Sequence, residues 1–225
     1  MADALQAVTL EDVKNNPEVE LYIRKANEHM AALGYTEHGF RHAGLVSHIA
    51  NNILARLERP QRLAELAAIA GYLHDIGNML GRHEHGQASA LLSWSILRGM
   101  GMEPEELAVV AAAVGNHEEE YGQPLSDVSA AVILADKSDV HASRVQNPKP
   151  AEFDIHDRVN FAVKHSFLRV DAPGERIVLE LSVDTQISPV MDYFEIFLSR
   201  MVMCRRAAAF LNCKFHLQIN EVSLL

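Results

Sequence analysis

Within GYLHDIGNMLGRHEHG, residues 71–86, His74 and Asp75 stand side by side, and His83 and His85 follow across a glycine-containing break. An imidazole and a carboxylate at the end of an apolar helix are costly to bury unless a partner takes up their lone pairs or charge. A metal ion is one such partner; a polar surface turn is the competing explanation. The choice depends on whether the rest of the chain supplies more ligands. His42, His74, His85, His117 and Asp136 each continue the apolar stripe of a different expected helix, and core-facing stripes converge in space. Asp75 lies roughly 100° round the helix from His74, and at a helix end both side chains reach a common ion. Taken singly, each histidine reads more readily as a satisfied core or surface residue, and Asp136 as a helix-end acid paired with Arg or Lys. Five helices offering a ligand type in phase are harder to explain that way. The donors are all nitrogen and oxygen, which suits iron, manganese, cobalt, nickel or zinc better than a pure calcium site.

The elements that must position these residues follow from periodicity. From about residue 16 to 145 the chain reads as a series of helices. Pro17 opens the first, with Val19, Ile23, Ala26 and Met30 at helical spacing. The second carries His42, Leu45, Ile49 and Ile53 and stops at Pro60. The third runs from Gln61 through Leu66, Ala70 and His74 and ends near Gly77; the fourth holds His85, Ala88, Leu92 and Ile96. Pro104 opens a fifth that reaches His117, and Ser126 caps a sixth in which Val128, Val132 and Asp136 share a stripe. After QNPKP the pattern changes. Val159, Phe161 and Val163 alternate like a strand, as do Ile177, Leu179, Leu181 and Val183, with DAPGE as the turn between. A long helix from about Ser188 to Asn212 and a strand through Phe215, Leu217 and Ile219 complete the tail. The expected architecture is mainly α: a helical bundle over residues 1–150, and an extension over 151–225 with a three-stranded antiparallel sheet and one helix. Strands so few must pack on that helix or on another chain, so a homodimer through the extension is one use for it.

Composition bounds the function. The 225 residues, 48% hydrophobic, are enough to bury a proper core. A net charge of −10 argues against nucleic acid, whose affinity comes from Lys and Arg on phosphates, but not against a small anion held beside a cation. The acidic opening MADALQAVTLEDV has no signal-peptide pattern, no apolar run is long enough for a membrane span, and Cys204 and Cys213 make no disulfide framework. The expectation is a cytoplasmic protein without membrane or nucleic-acid partners.

The ordered segments FRHAGLVSHIA, LHDIGN, HGQASALL, GNHEEEYG and ILADKSD resemble the HD superfamily of metal-dependent phosphohydrolases over about residues 37–145. The resemblance implies an all-helical HD bundle in which His42, His74, Asp75 and Asp136 hold one divalent metal. It implies that Asp75, His85 and His117 hold a second, with Asp75 bridging the two. HGQASA and ILADKSDVHASR are most similar to the branch that symmetrically cleaves bis(5′-nucleosyl)-tetraphosphates, which assigns Lys137 and Arg144 to phosphate contact; solvated helix charges are the competing reading. Asn78 and EYGQP depart from the pattern of the branch that cleaves cyclic dinucleotides. His83, two residues from His85, is expected to face substrate or to support a neighbouring ligand. Asp75, His83, Lys137 and Arg144 are therefore the candidate catalytic residues. The implied activity is hydrolysis of a phosphoester or phosphoanhydride in a small, nucleotide-like substrate, with a metal-bridging hydroxide as attacking group. A di-iron oxygenase on the same fold and a nucleotide-sensing module without turnover are the alternatives.

Overall fold

The computed structural model describes residues 7–173 and 175–224. The first residues of the acidic opening, Gly174 of the DAPGE turn and the last residue lie outside it. A helix too short to show a period comes first, α1 (Leu10–Lys14). Thr9 and Asp12 close a reciprocal cap around its first turn, with Thr9 N–H donating to the Asp12 carboxylate at 2.9 Å. Pro17 then occupies the first position of α2 (Pro17–Ala32), and the Asn16 side chain accepts from its free N–H groups.

Helices α3 (Phe40–Arg56), α4 (Gln61–Leu73), α5 (His85–Gly99), α6 (Pro104–Gly115) and α7 (Asp127–Ser138) follow the expected order. The innermost is α7, whose residues 128–138 are all buried; α3, α4 and α6 pack around it, and α5 packs on α6. A 3-10 turn, Ile76–Met79, carries the chain away from the end of α4 and lies against α5. Gly77 makes that approach possible: a Cβ there would meet the His85 carbonyl oxygen at 2.3 Å.

The tail differs from expectation in three ways. Residues 155–162 form a helix, α8 (Ile155–Ala162), not the start of a strand. Asp154 caps it by accepting from Asp157 N–H at 2.8 Å, and the buried Val159 and Ala162 share a helical face with Ile155, so the alternation through Phe161 is incidental. Strands β1 (Val163–Asp171) and β2 (Arg176–Val183) pair antiparallel as expected. However, β3 (Lys214–Ile219) runs parallel to β2, with Ile177 opposite Phe215 and Leu179 opposite Leu217. The 21-residue helix α9 (Val190–Phe210) carries the chain back to the starting end of β2, as a parallel crossover requires. A short fourth strand, β4 (Val222–Ser223), folds back on β3, giving a mixed sheet in the order β1-β2-β3-β4.

Helix α9 packs against α7 and β3, and one apolar cluster joins Val132 and Leu134 of α7 to Tyr193, Phe197 and Met201 of α9 and to Leu179 and Leu217 of the sheet. The expected boundary near residue 150 falls between α7 and α8, and this cluster has members from both sides of it. Among the described residues no helix is long and apolar enough to cross a membrane, and both cysteines are buried and free.

Candidate metal centre

His42 lies in the first turn of α3, His74 and Asp75 follow the last residue of α4, and Asp136 sits in the last turn of α7. His85 opens α5, and His117 comes just after α6. Because these helix ends meet, all six side chains are buried in one place.

Asp75 is at the middle. Its Oδ2 lies 3.3 Å from His42 Nε2 and 3.2 Å from His74 Nε2, while its Oδ1 lies 3.1 Å from His85 Nε2 and 3.7 Å from His117 Nε2. Asp136 Oδ1 closes the first side at 3.4 Å from His42 Nε2 and 3.7 Å from His74 Nε2. Two overlapping donor groups result, His42–His74–Asp136 and His74–Asp75–His117, each with its atoms within 4.8 Å of one another. His85 extends the second, with its Nε2 3.0 Å from that of His117.

The opposite ring nitrogens show what these donors suit. His42 Nδ1 donates to Asp139 Oδ2 at 2.6 Å, His74 Nδ1 to the Gly71 carbonyl at 2.8 Å, His85 Nδ1 to the Arg82 carbonyl at 3.0 Å, and His117 Nδ1 to the Val114 carbonyl at 2.6 Å. Spending the N–H on these acceptors leaves four Nε2 lone pairs pointing inward, with those of His42 and His74 only 3.2 Å apart. Facing lone pairs repel unless a cation lies between them, and an imidazole tied through its other nitrogen is the usual metal-ligand arrangement. Burial alone would drive His74 toward neutrality, but Asp75 and Asp136 outweigh it and push its pKa up to about 10. The pocket's field thus calls for positive charge. The residues fit a divalent metal.

A surrounding set of charged groups holds the donors. Asp139, which Arg41 Nη2 also approaches at 2.7 Å, would be raised by burial, but Arg144 and His42 hold it far below the usual carboxylate range. Asn78 donates to Asp75 Oδ1 at 2.8 Å and fixes the carboxylate's plane. Glu118 takes an N–H from Gly86 and lies 3.2 Å from His85 Nδ1; these contacts outweigh its burial and hold it at about 2. Lys137 and Arg144 are both buried, so the solvated reading fails for each. Lys137 Nζ bridges Asp136 at 2.7 Å and Glu119 at 3.1 Å, and Arg144 donates to the Glu37 carbonyl at 2.7 Å. His83 is exposed in the turn before α5 and makes no hydrogen bond or ion pair to the cluster. Its expected substrate-facing or supporting role has no geometry behind it.

A cleft of ≈ 320 Å³ lies beside the site, lined by Arg82, Arg144, His38 and, from α9, Arg200; Arg82 Nη1 is 3.3 Å from His85 Nε2, and the His38 ring centroid is 5.7 Å from that of His42. A larger cavity of ≈ 550 Å³ lies between α3 and β1, and neither lining includes any of the six donors. Sequence reasoning missed Asp139, Glu118, Glu119, His38, Arg82 and Arg200. For Asp139 a signal existed, since it follows Asp136 by three residues and so shares its helix face. For Arg200 none did.

With this geometry in view, the comparisons with known proteins become informative. The family model described as the HD domain matches residues 39–141, a span that contains all six donors and ends before the C-terminal extension. The match supports the HD superfamily for this part of the chain. Among solved structures, a predicted HD superfamily hydrolase from an uncultured Thermotogales bacterium is 23% identical, with a TM-score of 0.45 over 56% of this chain and 68% of that one. No curated protein matches.

Proposed function

We propose that the chain is a metal-dependent phosphohydrolase acting on a phosphoester or phosphoanhydride of a small nucleotide-like substrate in the cytoplasm. The observation that carries this reading is the buried Asp75 carboxylate, with each oxygen facing its own pair of imidazoles whose other nitrogens are tied. His42, His74, Asp75 and Asp136 would hold one divalent ion, and Asp75, His85 and His117 a second. When bound, such ions supply Lewis acidity at the phosphoryl oxygens and acidify water.

The chain's own residues do the rest. Asp139 and the Gly71, Arg82 and Val114 carbonyls set the histidine tautomers, so that each Nε2 faces inward without having to turn. Lys137 bridges Asp136 and Glu119 in the interior, which gives it a positioning role. Arg82 and Arg144 line the approach, where guanidinium forks suit phosphate. The motifs HGQASA and ILADKSD favour the tetraphosphate-cleaving branch as the finer assignment.

The test is phosphate release from a panel of nucleotides and phosphoesters. Chelation should abolish release, and one of manganese, iron, cobalt, nickel or zinc should restore it. Full release by protein shown to be metal-free would overturn the reading, and oxygen uptake without phosphate release would move the chain to oxygenase chemistry.

A further inference from the structure

The cleft beside the metal centre is lined by two sets of groups of opposite character, and the extension supplies one of them and completes the other. Three arginines share the lining and each touches the centre or its supports: Arg82 Nη1 lies 3.3 Å from His85 Nε2, Arg144 Nη1 lies 3.7 Å from Asp139 Oδ2, and Arg200 faces Glu119. Arg200 arrives from α9, anchored by its Nε 2.8 Å from Glu119 Oε1. Arg144 is only 4% exposed, and its buried Nε–H finds no acceptor among the described residues. Three like charges in a small space, one with an unpaired buried donor, are costly until an anion joins them. In an acidic chain of net charge −10 such a concentration is also not a matter of composition.

The α8 segment contributes acceptors. Asp154, Asp157 and Asn160 line the cleft. Asn160 donates one amide hydrogen to the His156 carbonyl at 2.9 Å, which fixes the plane of its amide, whose oxygen is an acceptor. Asp157 is buried beside Asp154. Two carboxylates and an amide oxygen match hydroxyl or amino donors, not a second phosphate, which they would repel. The aromatic ring of Phe197 forms part of the wall, with the Arg200 guanidinium 4.4 Å from its centroid. At ≈ 320 Å³ the cleft is near the lower limit of small-molecule sites, about 300 Å³, so it suits one nucleoside and not two.

We infer that the C-terminal extension makes the enzyme selective for a phosphomonoester the size of one nucleoside monophosphate: Arg200 seats the phosphate, and Asp157 with Asn160 reads a hydroxyl- or amino-bearing head. The inference rests on the phosphohydrolase reading and narrows it, against the motif-based tetraphosphate assignment.

Calorimetric binding to the metal-loaded protein tests it with two non-hydrolysable probes: the phosphonate analogue of adenosine monophosphate, and benzylphosphonate, whose head has no donors. Wild type should bind the nucleotide analogue more tightly. Asp157→Asn should weaken that probe about 10-fold and leave benzylphosphonate unchanged. Arg200→Gln should weaken both alike, by about 10- to 100-fold, and Arg200→Lys, which keeps a cation beside Glu119, should recover part of the loss. Metal content and melting temperature of each variant establish that the fold is intact. If both probes bind but Asp157→Asn affects them equally, or Arg200→Gln affects neither, the inference falls and the phosphohydrolase reading stands. If wild type binds neither probe nor inorganic phosphate, both fall.

Discussion

The two sides of the metal centre are built from the same ligand type but supported in different ways. On the first side, His42 and His74 face two carboxylates, and the nearest support is ionic: Asp139 beneath His42, itself held by Arg41, and Lys137 beside Asp136. On the second side, His85 and His117 face only Oδ1 of Asp75, and their Nδ1 atoms rest on backbone carbonyls, with Glu118 a further 3.2 Å neighbour of His85 Nδ1. Arg82 Nη1 even lies 3.3 Å from His85 Nε2, a cation where a metal would sit. Neutral ligands add no charge, so two ions together depend on Asp75 and on anions from solvent or substrate. On the proposed two-ion reading, the first side would hold its ion more tightly than the second.

Asp75→Ala should have the largest effect, because only this carboxylate reaches both sides. Hydrolysis should fall by at least about a thousandfold, as charge stabilisation and water activation are lost together. Elemental analysis should find at most one ion. A variant that keeps two ions would erase the distinction between the sides.

The supports should differ next. Asp139→Asn removes the charge that fixes the His42 tautomer, and metal affinity of the first site should drop about 10- to 100-fold in competition with a chelator. Glu118→Gln, whose partner His85 also rests on the Arg82 carbonyl, should cost less than about tenfold. The reverse order would assign the stronger site to the wrong side.

The smallest effect lies away from the centre and serves as a control. Arg62 donates to Glu106 at 2.7 Å, tying α4 to α6, and this hydrogen bond outweighs burial and lowers the glutamate's pKa. A carboxylate lowered in the folded state stabilises the fold above its unfolded pKa, about 4.3, and loses that contribution as pH falls through the lower folded value. Glu106→Gln should therefore cost about 0.5–1 kcal/mol at neutral pH, and the melting curves should converge with wild type as pH drops below about 4. Metal content should not change. A gap that persists at low pH would mean that packing, not charge, joins these helices.

Much of this arrangement could be read along the chain, because the donors sit on stripes with helical period. His42 and Asp136 prolong the apolar faces that bury α3 and α7, so their convergence follows from packing alone. What escaped was set by contacts between distant segments or by a single backbone angle. Arg200 reaches Glu119 across eighty-one positions with no pattern to announce it. His83 stays exposed although His85 is buried, because Glu84 between them adopts φ 52°, a left-handed turn that no spacing rule foresees. The β2–β3 pairing was misread because strand alternation carries no direction; the length of α9 decides it.

Metal counting tests the central claim most directly. Wild type, His74→Ala, His85→Ala and His117→Ala, each loaded with the activating metal and freed of excess, should be compared by elemental analysis and phosphate release. Asp75 bridging two sites predicts two ions per chain in wild type. It predicts about one in His85→Ala and His117→Ala, with hydrolysis reduced by orders of magnitude, and direct damage to the first site in His74→Ala. A single ion in both wild type and His85→Ala, with equal rates of hydrolysis, would contradict it.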